Sequence, residues 1–297
     1  MRITRLILIL QLIVLYPVSV FADGGGEFVP LREAFDPGLQ QRLDSVITRL
    51  RLNSAVDAGH LAVSLIDITN IAEPRMAEVN GDSMLYAASL PKIAILLGAF
   101  VEVERGRIAL DAQTRQSMIK MIRVSSNTEA TRMLNRVGKR NLIEILRSNR
   151  YRLYDPATNG GLWVGKEYGK SQAYRRDPLH NLSHGATALQ TARFYYLLES
   201  GRLVSPHLSR EMKRILGNPG IDHKFVKGLA DFKGVKVYRK SGSWHRWHAD
   251  SAIIEDTGHK YILVGLAEDT KGGRWLESLA REIHPLMVPQ RLAKLGE

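Results

Sequence analysis

The sequence predicts an α/β fold with an all-α lobe: one sheet assembled from both ends of the chain, flanked by helices, with a helical lobe inserted between. Three observations predict it. Strand-like segments fall at 61–79 and again at 235–266, the stretch 90–216 between them is mainly helical in period, and helical periods at 39–50 and 275–283 lie outside both. The 297 residues, 44% of them hydrophobic, suffice to bury a substantial core and exclude a disordered chain. The absence of cysteine excludes a disulfide scaffold, a thiol nucleophile and a zinc–thiolate site.

The elements follow in order. Arg2 and Arg5 precede an apolar run from Leu6 to Tyr16 broken only by Gln11, and Val20-Phe21-Ala22 offers a cleavage site, so residues 1–22 read as a signal peptide removed after about Ala22. A membrane anchor needs about 20 apolar residues, and this run stops at Pro17. The mature chain is then periplasmic or secreted and keeps no stable membrane anchor. Of the formal charge of +12, Arg2 and Arg5 leave with the leader, so 40 basic residues face 30 acidic ones, or +10. That charge forms no clustered stripe, which excludes nucleic acid as a partner and leaves solubility or attraction to anionic envelope polymers.

Asp36-Pro37 opens a helix with apolar Leu39, Leu43, Ile47 and Leu50. Strands follow at Leu61–Ile68 and Met76–Val79. The helical stretch includes a helix ending near Arg202 and another opened by Ser205-Pro206, a cap and a proline at the first helical position. Before both, 152–183, with Asn159-Gly160-Gly161, Gly165, Gly169 and Pro178, shows no sustained period; a loop of that length in a compact protein is usually functional. Strands resume at Val235–Lys240, Ser251–Glu255 and Tyr261–Leu266, and a helix through Trp275, Leu279 and Ile283 closes the chain. The expected division is an α/β lobe of 23–85 with 220–297, and a helical lobe of 86–219.

Chemistry concentrates in three places. In Ser89-Leu-Pro-Lys92 the serine and lysine lie a helical turn apart on one face, and Ser89 sits where backbone N–H groups favour developing negative charge. The run Ile93–Phe100 has no polar side, so the helix is buried and Lys92 at its mouth is poorly solvated. A neutral amine there can take a proton from a serine hydroxyl. The spacing alone is weak: Ser117-Met-Ile-Lys120 repeats it, but no buried apolar run follows. Ser125 and Asn127 open an amphipathic helix, which an ordinary cap would also explain. Lys240-Ser241-Gly242 ends an alternating strand, where a small residue lets a ligand approach and a lysine offers a charge to a carboxylate, though a strand-end turn with a solvated lysine would read the same.

Taken together, Ser89-x-x-Lys92, Ser125-x-Asn127 and Lys240-Ser241-Gly242 resemble the three motifs of the penicillin-recognising serine hydrolases, the class A β-lactamases and D,D-peptidases. The resemblance spans about Leu61 to Leu279. It implies a β-lactamase/transpeptidase-like fold with an antiparallel sheet, and Ser89 as acylated nucleophile with Lys92 as its proton acceptor. It implies that Ser125 relays a proton to the departing nitrogen, Asn127 holds the substrate amide and Lys92, and Lys240 with Ser241 binds the substrate carboxylate. The backbone N–H groups of Ser89 and Ser243 would form the oxyanion hole.

Three departures qualify it. Ser126 replaces the usual central aspartate and should point away from the pocket. Only 36 residues separate Ser89 from Ser125, which would shorten one wall of the cleft. No Glu-x-x-Asn lies between Ser125 and Lys240, leaving Glu167 in the 152–183 loop as the substitute deacylation base, or else a surface residue paired with Lys166 or Lys170. Two histidine pairs, His245 with His248 and His180 with His184, lack ligand-type partners apart from Asp250, so no metal is expected. The reading is a monomeric, exported serine hydrolase of the class A β-lactamase type without metal or organic cofactor, its substrate a small β-lactam or a peptidoglycan peptide. The alternatives are a D,D-carboxypeptidase or related peptidoglycan-peptide hydrolase, and a penicillin-binding sensor or non-catalytic relative.

Overall fold

A computed structural model describes residues 28–289; the leader expected at 1–22 lies outside the described residues. Helix α1 (Pro37–Arg49) starts where expected, its Asp36 side chain accepting from Leu39 N–H at 2.6 Å. A short α2 (Asn53–Asp57) precedes strands β1 (Leu61–Asp67), β2 (Arg75–Val79) and β3 (Leu85–Tyr86). Helices α3 (Lys92–Glu104), α4 (Ala112–Arg123), α5 (Asn127–Val137) and α6 (Lys139–Arg147) follow. Short strands β4 (Tyr154–Asp155), β5 (Gly160–Gly161), β6 (Trp163–Val164) and β7 (His184–Ala186) precede α7 (Ala188–Glu199), α8 (Pro206–Leu216) and α9 (Phe225–Gly228). The chain closes with β8 (Lys236–Trp244), β9 (Trp247–Asp256), β10 (His259–Glu268) and α10 (Gly272–Met287).

The main sheet runs β2-β1-β10-β9-β8, antiparallel throughout, so β1 near the start pairs with β10 near the end, Leu61 opposite Ala267. Both faces are covered. On β1, Leu61, Val63 and Leu65 pack into a core with α1 and α10, while Ala62 and Ile66 pack on the opposite face into the core holding α3 and α7. Burial on both faces is why this strand reads as an apolar run, interrupted only by Ser64 before Asp67, rather than as an alternating pattern.

The structure alters two expectations. The 152–183 segment carries short strands: β4 pairs with β5, β6 joins β3 and β7 in a second sheet, and the Tyr154 hydroxyl donates to Asp177, whose carboxylate also accepts from His180 N–H at 2.6 Å. Two-residue strands are too short to show a period. The strand expected at 235–240 continues to Trp244 and turns back through His245-Arg246 directly into β9, with Trp244 opposite Trp247. His245 sits at φ 50° without the asparagine or glycine that normally signals such a turn.

Candidate active site

Helix α3 is buried from Lys92 to Glu102 because its apolar residues go all the way round. The turn before it, with Ala88 at φ 50°, leads into the helix through a bond from Lys92 N–H to Ser89 C=O at 3.2 Å and presents Ser89, half-buried, to a cleft of about 590 Å³. Strand β8 lies directly against that turn. A Cβ on Gly242 would stand 2.1 Å from Ala87 O and 2.8 Å from Ser89 N, so only glycine lets the strand approach the serine this closely.

Beside Ser89 the other motif residues converge. Lys92 Nζ donates to Ser125 O at 2.6 Å, Asn127 Oδ1 at 2.8 Å and Ser125 Oγ at 3.2 Å. Lys240 Nζ reaches the same Ser125 Oγ at 3.0 Å and its neighbour Ser241 O at 2.6 Å. The Ser125 oxygen therefore accepts from two lysine Nζ groups, leaving its proton to donate elsewhere. Ser125 holds φ 57°, a left-handed conformation that non-glycine residues adopt at a cost. Burial brings Lys92 down to about 7, and burial followed by the charge of Lys92 holds Lys240 well below an ordinary lysine. Near neutrality Lys92 can accordingly give up and accept a proton. Ser126 faces away and caps α5 by accepting from Glu129 N–H at 3.2 Å. Ser117, the other serine at the lysine spacing, donates to Glu129 inside the helical lobe.

The cleft is lined by Tyr86, Ser89, Asn127, the 166–170 segment, Ser243 and Trp247, among others, and by no residue from 90–126. Ser241 and Gly242 are buried beneath the Ser243 rim. Glu167 is the acidic residue among the lining groups, but it pairs with Lys139 at 2.5 Å rather than with Lys166 or Lys170, and the Lys139 contact lowers its pKa. The Tyr168 ring lies 4.5 Å from Lys92 Nζ and 4.4 Å from the His184 ring, and no carboxylate among the described residues is within ion-pair distance of Lys92. Burial holds His184 at about 4, and its Nε2 lies 3.1 Å from Lys166 O. His180 bonds Asn159 instead, so the two histidines do not form a pair. Tyr168 stands at the site without any spacing in the sequence to mark it, and His184 is marked only by its spacing from His180, with which it makes no pair.

This fold and site define a member of the penicillin-recognising serine hydrolase superfamily. The chain belongs to the beta-lactamase enzyme family, whose model matches residues 113–285, more than half its length, a region that includes Ser125 and Lys240 and begins after Lys92. Similar solved structures include a beta-lactamase from Sphaerobacter thermophilus DSM 20745, with TM-score 0.65 and 15% identity over 84% of this chain and 97% of that one. PBP-A gives TM-score 0.63 and 16% identity over 85% of this chain and 96% of that one. A variant of the class A beta-lactamase of the last common ancestor of Gram-negative bacteria gives 0.62 and 19% over 85% and 99%. At these identities the likeness speaks for the fold alone. Comparison with curated proteins returned no match.

Proposed function

We propose that the chain is an exported, monomeric serine hydrolase that opens β-lactam rings through an acyl ester on Ser89. The observation that carries this is the convergence of Lys92, Ser125, Asn127 and Lys240 in one hydrogen-bonded set beside Ser89, with Lys92 near 7. In this reading the helical lobe (86–219) supplies the nucleophile and its proton acceptor, and the α/β lobe (23–85 with 220–297) supplies the strand that binds the substrate. Lys240 and Ser241 bind the carboxylate, and Asn127 the side-chain amide. The Ser89 hydroxyl adds to the lactam carbonyl carbon as its proton passes to Lys92. The N–H groups of Ser89 and Ser243 hold the oxyanion, and the ring C–N bond breaks as Ser125 delivers a proton to the nitrogen. Water then cleaves the ester with Glu167 as the carboxylate placed at the cleft. This chemistry needs no metal or organic cofactor.

A second reading rests on a separate observation. Among the described residues no carboxylate contacts Lys92, and Glu167 is held by Lys139, an arrangement that slows attack of water on the ester and favours a D,D-peptidase that retains the acyl group. A fluorescent penicillin and a chromogenic cephalosporin separate the two. Rapid turnover of the cephalosporin supports the lactamase, a stable label at Ser89 the peptidase, and reaction with neither refutes both. In Ser89→Ala all reaction should fall by roughly 10³-fold or more.

A further inference from the structure

Lys224 stands outside the three motifs, yet its side chain ends behind the substrate-binding strand. The residue is buried, and its Nζ donates to Gly242 O, to Ser243 Oγ at 2.8 Å and to Ala249 O at 3.0 Å. Gly242 and Ala249 are opposite one another in the β8–β9 ladder. The peptide joining Gly242 to Ser243 is trans, as are all those of the described residues, so its C=O and N–H point in opposite directions across one planar unit. A cation on the Gly242 oxygen draws electron density through that unit and makes the Ser243 N–H, on the cleft side, a stronger donor.

We propose that Lys224 is a positioning residue for acylation: its ammonium, seated on the Gly242 carbonyl, polarises the Gly242–Ser243 peptide so that the Ser243 N–H binds more tightly the oxyanion formed at Ser89. The inference rests on the acylation proposed above.

The surroundings show that Lys224 is held there against resistance. Its backbone lies at φ 54°, which non-glycine residues adopt only when neighbours enforce it. On one side the His223 carbonyl accepts from Arg239 Nη2 at 2.9 Å, and on the other Phe225 N–H donates to Asp250 Oδ2 at 3.1 Å. Arg239 and Asp250 are themselves joined by two bonds of 2.8 Å and are buried. Burial lowers Lys224 to about 8, the attraction of Asp250 opposing and the repulsion of Arg239 adding to it. A strand end needs no such cation for its own pairing. Gly242 and Ala249 are buried, so the ammonium meets their carbonyls where bulk water does not, and a cation on the Gly242–Ser243 peptide alters what that peptide donates.

The test compares wild type with Lys224→Gln and Lys224→Met, which remove the charge, and Lys224→Arg, which keeps it. Stopped-flow reaction with a chromogenic cephalosporin separates the noncovalent dissociation constant from the acylation rate constant, and infrared spectroscopy of the acyl-enzyme reads the ester carbonyl stretch. Gln and Met should slow acylation by roughly tenfold, less than the hundredfold or more of deleting a donor outright, with the dissociation constant changed by no more than about twofold. Their ester band should move to higher wavenumber, and Arg should keep both rate and band close to wild type. Wild-type rate and band in Gln and Met would overturn the inference, as would a loss confined to the dissociation constant. If the wild type itself forms no acyl-enzyme, the proposed function falls and this inference with it.

Discussion

The pH dependence of acylation tests the role given to Lys92 most directly. Its three oxygen contacts do not compensate for its burial, which brings the amine from 10.5 to about 7. With that value the free-base fraction rises from about 1% at pH 5 to about 50% at pH 7, a gain of roughly fiftyfold, whereas an ordinary lysine would be free in only about 3 parts in 10,000 at pH 7. The sign is fixed by the chemistry: proton acceptance requires the neutral amine, so acylation increases as pH rises through 7. His184 and His223, both held at about 4, are neutral over most of this range, and Lys224 at about 8 keeps its proton. Stopped-flow acylation by a fluorescent penicillin, read as the second-order rate constant from pH 5 to 7, should follow that rise. A flat profile, or one that falls with pH, would refute Lys92 as the acceptor, as would a Lys92→Arg variant with the wild-type rate.

Other substitutions probe the supports of the site. Gly242→Ala places a methyl 2.1 Å from Ala87 O, and should cost about 1–3 kcal/mol in urea unfolding and most of the acylation rate. Glu167→Gln should leave acylation unchanged and slow deacylation at least tenfold if this carboxylate activates water; an unaltered steady state would remove Glu167 from the mechanism. Arg239→Met breaks a fully buried pair and leaves the Asp250 charge uncompensated, so a loss of about 3–5 kcal/mol should appear in denaturant unfolding.

Much of the main sheet could be read from the sequence because each strand's burial is written in its own residues, as in the apolar run of β1, interrupted only by Ser64 before Asp67. Ser241-Gly242-Ser243 could not be read as strand, since none of the three has a strand-forming side chain; the ladder with β9 and the close contact with the Ser89 turn hold them extended. The same divide separates parts of the site. Ser89 with Lys92, and Ser125 with Asn127, are recognisable because each pair's spacing is local. The alternative reading of Glu167 as a surface residue pairs it with its neighbours Lys166 or Lys170, but the loop's path carries it to Lys139 at the start of α6. Tyr168 over Lys92, and Lys224 behind β8, depend on contacts between segments far apart in the chain, for which composition and period hold no sign.

The pairing of β1 with β10 also has a consequence for how the protein is made. About two hundred residues separate the two partners, and the entropic cost of closing so large a loop makes this pairing slow compared with the local contacts of the helical lobe. The helices can gather while the sheet still waits for the last strands. Because the Ser89 turn rests on Gly242, that turn lacks its packing partner until β8 to β10 have docked. On the proposed function, a chain whose last strands have not yet docked would not acylate at Ser89.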